Sequence, residues 1–147
     1  METIEVIKIT VATLAGTSVM TAFSYLASET FNKLWKEPVL LNLVIAKTNI
    51  DFSPRSKSIF GWIIHYLIGL AFVLCYHLVW KFTDIEPTWF CGIIFGIISG
   101  IIGIISWVFI FKLPEKKPKI KFKHYYLQLF IAHIFFALAV IAVYKLI

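Results

Sequence analysis

The sequence predicts an all-α polytopic membrane protein: a four-transmembrane-helix bundle with a short interfacial helix in the first cytoplasmic loop, making one transmembrane domain over residues 1–147. Three observations carry this. Of 147 residues 60% are apolar or aromatic and 15% charged, with mean hydropathy +0.87; a soluble domain lies nearer half and a quarter. Four apolar stretches, about residues 9–27, 59–80, 88–111 and 125–144, are each long enough to cross a hydrocarbon core of about 30 Å at about 1.5 Å per residue. The charges collect in the segments between them. With so little chain left over, a soluble catalytic domain, a nucleic-acid-binding module and a disordered tail are not expected.

The first span begins after Glu2 and Glu5 and is too long for the apolar region of a signal peptide, so it reads as a permanent span. Along it Thr10, Thr13, Thr17, Thr21, Ser24 and Ser28 recur every three or four residues, with Gly16 beside them. Small hydroxyl residues let helix backbones approach and can bond their own i−4 carbonyls, so the stripe predicts a packing seam; a polar lining for a permeation path is the alternative. In the following loop, about 28–58, the pair Glu37-Pro38 suits a helix start. Residues 39–46 are apolar except for Asn42 and predict a short helix in or under the inner interface. Ser53-Pro54 and Arg55-Ser56-Lys57 form the polar turn into the second span.

The third span carries Gly92, Gly96, Gly100 and Gly103, two overlapping GxxxG patterns and a further step. This predicts close helix contact, within the bundle or between two copies of the chain. In the loop of about 112–124, Pro114 and Pro118 interrupt any helix, and Lys116, Lys117, Lys119, Lys121 and Lys123 are placed to meet anionic lipid head groups. Eleven of the 14 basic residues lie in these two loops, against Lys8, Lys81 and Lys145 on the other side. The positive-inside rule then puts both loops in the cytoplasm and both termini outside. Trp80 and Trp89 by the short outer turn, and Trp62, Trp107, Tyr125 and Tyr126 at the inner side, fit rings at headgroup depth.

The second and fourth spans share a pattern: His65, Gly69, Leu70, Ala71 and Tyr76 overlay His133, Ala137, Leu138, Ala139 and Tyr144 without a gap. A true duplication would make two helix hairpins related by an axis along the membrane normal. His65 and His133 fall at similar depth inside the membrane, where an ionisable side chain marks a functional site by default. His77 and His124 read as hydrated interfacial residues. Three readings of the His65/His133 pair stand side by side. Neutral imidazoles can bond the first-span hydroxyls and fix helix register; they can ligate a b-type haem or a metal ion; or they can take part in proton-coupled transport. The candidate intramembrane polar or ligand site is therefore His65, His133, Thr13, Thr17, Thr21, Tyr76 and Tyr144. No Asp or Glu falls within a span, which weighs against a proton or cation pump. Cys75 and Cys91, without a CxxC, read as two buried inert thiols, and no catalytic constellation is visible, so an enzyme is not expected.

Ala15-Gly16-Thr17 with Met20-Thr21, Gly61-Trp62 with His65 and Gly69, Gly92 with Phe95-Gly96, and Ala132-His133 together resemble a group of small bacterial four-span inner-membrane proteins, the YagU-like type. The resemblance touches every span and implies a bundle and an inner-membrane location, with no assigned activity. On this basis the expected function is a non-enzymatic accessory or scaffold protein that assembles with itself or with a larger membrane complex. The alternative is a small transporter or channel with a polar path through Thr13, Thr17, Thr21, His65 and His133, and the third reading is haem or metal binding through the two histidines.

Overall fold

A computed structural model describes residues 3–48, 54–114 and 119–147. The described chain forms five helices and no strand: α1 (Thr3–Thr30), α2 (Glu37–Ile45), α3 (Ile59–Phe82), α4 (Trp89–Ile110) and α5 (Phe122–Leu146). Helices α1, α3, α4 and α5 are long and apolar enough to cross a membrane. Local chemistry sets their ends. Ser58 and Thr88 cap α3 and α4 by accepting from the Phe60 and Cys91 amides at 3.3 and 3.1 Å. Past the end of α1, Asn32 takes φ 49°, a left-handed stop that asparagine tolerates, and the Ser28 hydroxyl donates to the Lys33 carbonyl. Pro38 opens α2, where its missing N–H is not needed.

Helix α5 is the centre of the packing, with α1 against one side and α4 against the other; α3 packs on α1, and α2 on α3. Glycine permits the closest of these contacts. A Cβ on Gly96 would stand 2.7 Å from the Ile134 Cα and 3.2 Å from the His133 carbonyl oxygen, and one on Gly103 would meet the His133 ring at 2.6 Å. Gly92 faces Ile141, and Gly100 faces Phe130. The glycine groove of α4 is thus filled by α5 of the same chain, so the two partners left open by the sequence reduce to one. Along α1, Thr13, Thr17, Thr21, Ser24 and Ser28 are buried, whereas Thr10 is exposed and bonds back to the Val6 carbonyl at 2.8 Å. The opposite faces of the long helices expose a belt of Ile, Leu and Phe, such as Ile93, Ile97 and Ile101.

Several sequence expectations are corrected. Tyr125 is fully buried, packed edge-on to Trp107 and Phe111 with ring centroids 5.5 and 5.7 Å away, and Trp107 is buried too, so neither is a headgroup anchor. His77 is buried, pairs with the Tyr144 hydroxyl at 3.1 Å, and lies 3.8 Å from a Glu5 carboxylate oxygen; it is not a hydrated surface residue. Cys75 is exposed while Cys91 is buried and accepts from the Trp80 indole at 3.5 Å. A two-fold relation between hairpins would also require α3 to pack on α4 as α5 packs on α1, and it does not.

Candidate functional site: a crevice between α3 and α4

The six-residue turn between α3 and α4 holds their ends together, and there Trp80 stacks on Phe95 at 5.6 Å and Tyr76 packs on it at 4.7 Å. The Tyr76 hydroxyl reaches Ser99 and the Phe95 carbonyl, which fastens the two helices at this level. Farther from the turn the helices part and leave a cavity of about 370 Å³. Its back wall is α1 and α5, through Thr17, Met20, Leu129, His133 and Phe136. The sides come from His65, Gly69 and Phe72 of α3 and from Gly103, Ser106 and Trp107 of α4, and the floor from Glu37 and Leu41 of α2. The rim residues Ile68, Ala71, Cys75 and Ile102 are exposed on the apolar outer surface, so the crevice opens sideways, toward whatever surrounds the helices.

Hydrogen bonds fix the tautomers of both histidines. The Thr21 hydroxyl donates to the Thr17 carbonyl at 2.6 Å, so its oxygen, 3.0 Å from Nε2 of His65, accepts from that nitrogen. His65 therefore carries its proton on Nε2, and Nδ1 keeps a lone pair. His133 is the mirror case: Nδ1 donates to the Leu129 carbonyl at 2.8 Å, and Nε2 keeps the lone pair. Each ring is at most 6% exposed. Neither remaining nitrogen has a hydrogen-bond partner among the described residues, so the cavity wall holds two unmatched acceptors. Thr17 adds a buried hydroxyl without a partner among the described residues, close against Gly69.

At the floor, Glu37 is 1% exposed. Its Oε1 accepts from Ser24 at 2.8 Å and from Gln128 Nε2 at 3.5 Å, and Gln128 also donates to the Ser24 oxygen at 2.6 Å. Among the described residues Oε2 is buried without a partner, as are the Tyr125 hydroxyl and the side-chain amide oxygen Oε1 of Gln128. Burial pushes the Glu37 carboxyl up from the usual carboxylate range to about 7, against smaller opposing pulls from its hydrogen bonds. Helix α2 is held in place by Asn42, which donates to the Ser56 and Ser58 carbonyls at 3.1 and 2.7 Å and accepts from the Gly61 amide at 2.8 Å.

The structure brings together His65, His133, Thr17 and, one hydrogen bond away, Thr21. It separates the others. Thr13 bonds the Ile9 carbonyl at 2.8 Å and stands outside the cavity wall. Tyr76 and Tyr144 lie eleven residues along the helices from His65 and His133, about 16 Å at the helical rise. Val73 and Val140, both fully buried, fill the interval. Lys119, Lys121 and Lys123 are exposed, and Lys116 and Lys117 lie outside the described residues. Among the described residues no group of three His, Cys, Asp or Glu side chains is placed to hold a metal ion. A b-type haem fits poorly as well, since His65 commits Nε2 to Thr21 and no described Lys or Arg lines the cavity to meet a propionate.

Glu37, Gln128, Trp107 and Phe72 were not singled out as site residues by the sequence. The one signal for Glu37 was a carboxylate opening an apolar helix, which ordinarily only complements the helix dipole. No protein-family model, curated protein or solved structure matches this chain.

Proposed function

We propose that this chain is an integral membrane protein that binds a lipophilic small molecule with a hydrogen-donating head, admitted from the bilayer through the crevice between α3 and α4. The observation that carries the reading is the pair of half-satisfied imidazoles in a largely apolar cavity: each unmatched acceptor favours an O–H or N–H donor brought in by a ligand. The volume of about 370 Å³ suits a small amphiphile. We further propose the bacterial inner membrane, with the lysine-rich loops in the cytoplasm, α2 at that interface and both termini outside. This places the cavity in the cytoplasmic half of the bilayer. A YagU-like affiliation is part of the same proposal.

Binding without a covalent step is favoured over the scaffold role, because the α4 glycine groove, which by sequence could have met a second copy, is filled by α5. It is also favoured over a transmembrane channel, because Val73, Phe136 and Val140 close the interior on the far side of the histidines. A diazirine-bearing octanol, photoactivated on the protein in nanodiscs, tests the reading. Adducts on Phe72, Ser106 or Trp107 that excess octanol suppresses are expected. Adducts confined to lipid-facing residues such as Leu67 and Phe109, and indifferent to competitor, would refute it.

A further inference from the structure

We infer that the crevice selects a lipophilic ammonium ion and takes it up in exchange for the proton on Glu37. The inference rests on the ligand-binding reading above and adds the chemical class of the ligand. Glu37 is a carboxyl in the cavity floor with one oxygen bonded to neutral groups and the other unpartnered. Among the described residues no cation pairs with it. From α1 it is met by Ser24 and, more distantly, Tyr25, and from α5 by Gln128 and Tyr125, with His133 in the same cavity. His65 and Trp107 line that cavity from α3 and α4. The neighbouring Lys36 is turned away, bonding Glu29 and lying 4.8 Å over the Tyr25 ring.

A buried carboxylate without a counter-ion is strongly disfavoured, so the group either holds a proton or is paired by a cation from outside. What surrounds it suits an ammonium head on an alkyl or aryl body. The carboxylate supplies the opposite charge, His65 Nδ1 and His133 Nε2 accept N–H bonds, and the rings of Phe72, Phe136 and Trp107 can face the cation. A neutral alcohol would satisfy the imidazoles and draw nothing from the carboxyl, and a carboxylate ligand would bring an unpaired negative charge against two imidazole lone pairs. One ammonium ion enters as one proton leaves Glu37, so the charge of the occupied and empty sites is the same. Because burial raises the carboxyl to about 7, the exchange falls near neutral pH.

The test is competition against the photoreactive octanol by octylammonium and by octanol, on the full chain in nanodiscs from pH 5 to 9. Octylammonium is expected to compete at least about tenfold better than octanol at pH 8 and to weaken by close to tenfold per pH unit below about 7, as one-proton exchange requires. Octanol should show no slope. In Glu37→Gln, which keeps an acceptor for Ser24, octylammonium should lose both its slope and its advantage while octanol still competes. Equal, pH-independent competition by the two compounds on the unaltered protein would overturn the ammonium assignment and leave the binding reading standing. Failure of both to compete would overturn the two together.

Discussion

Substituting Gly61 by alanine should release α2, and with it Glu37, from the rest of the protein. At Gly61 a Cβ would fall inside contact distance of the Pro38 carbonyl oxygen and 2.9 Å from Cγ and Nδ2 of Asn42. The carbonyl belongs to backbone and cannot swing aside, so α2 must move away as a unit. That movement breaks or stretches the three hydrogen bonds made by Asn42 to the Gly61 amide and to the Ser56 and Ser58 carbonyls. Overpacking is worth about 1–3 kcal/mol and a lost hydrogen bond about 1 kcal/mol, so Gly61→Ala should destabilise by about 2–5 kcal/mol. Equilibrium unfolding in mixed micelles measures this, with proteolysis of the loop on either side of α2 as a local readout. Since α2 is too short to be stable alone, the loop should be cut faster while the long helices keep their helicity. Asn42→Ala should be destabilising too, and the double variant less than additive, because both changes undo one attachment. A Gly61→Ala protein within about 0.5 kcal/mol of the original, equally resistant to protease, would refute the argument that this glycine seats α2.

Further outcomes follow from the same geometry. Glu37 titrates near 7 in the folded protein against about 4.5 when exposed, so the folded state holds the proton more tightly. Its contribution to stability is full below about pH 4.5, falls as pH rises toward about 7, and amounts to about 3 kcal/mol; denaturation from pH 4 to 9 should show this loss, and Glu37→Gln should remove it. Nitrogen NMR of histidine-labelled protein should find opposite tautomers, the proton on Nε2 at His65 and on Nδ1 at His133, and the same tautomer at both would contradict the bonding described. Thr21→Val leaves the His65 Nε2–H without an acceptor and should destabilise by about 1–3 kcal/mol, measured by unfolding. The carbene from the photoactivated diazirine octanol, which needs no thiolate, should mark the exposed Cys75 at the crevice rim well before the buried Cys91, and octylammonium should reduce the label at Cys75.

Length, hydropathy and residue spacing sufficed to locate the helices. Runs of about twenty apolar residues can satisfy their backbone only as helices in a bilayer, so the four long helices, and α2 after Glu37-Pro38, were legible from local pattern. The small-residue faces of α1 and α4 were legible for the same reason, since spacing on one helix shows which residues share a side. Which helix fills which face is a property of three-dimensional packing: α5 took the α4 groove, so the choice between an internal and an intermolecular contact fell to the tertiary structure. Tyr125, Trp107 and His77 lie near helix ends, where position alone suggests an interface, but helix crossing buries them. The candidate site was half legible. His65, His133, Thr17 and Thr21 stand out because polar groups in apolar helices are conspicuous. Tyr76 and Tyr144 share their helical faces but lie too far along the axis to join them. Glu37 sits in a loop by sequence and in the cavity floor by structure, because α2 folds back against α3 through Asn42 and Gly61. A carboxylate's environment is set by what the chain packs over it, and here that packing comes from helices distant in sequence.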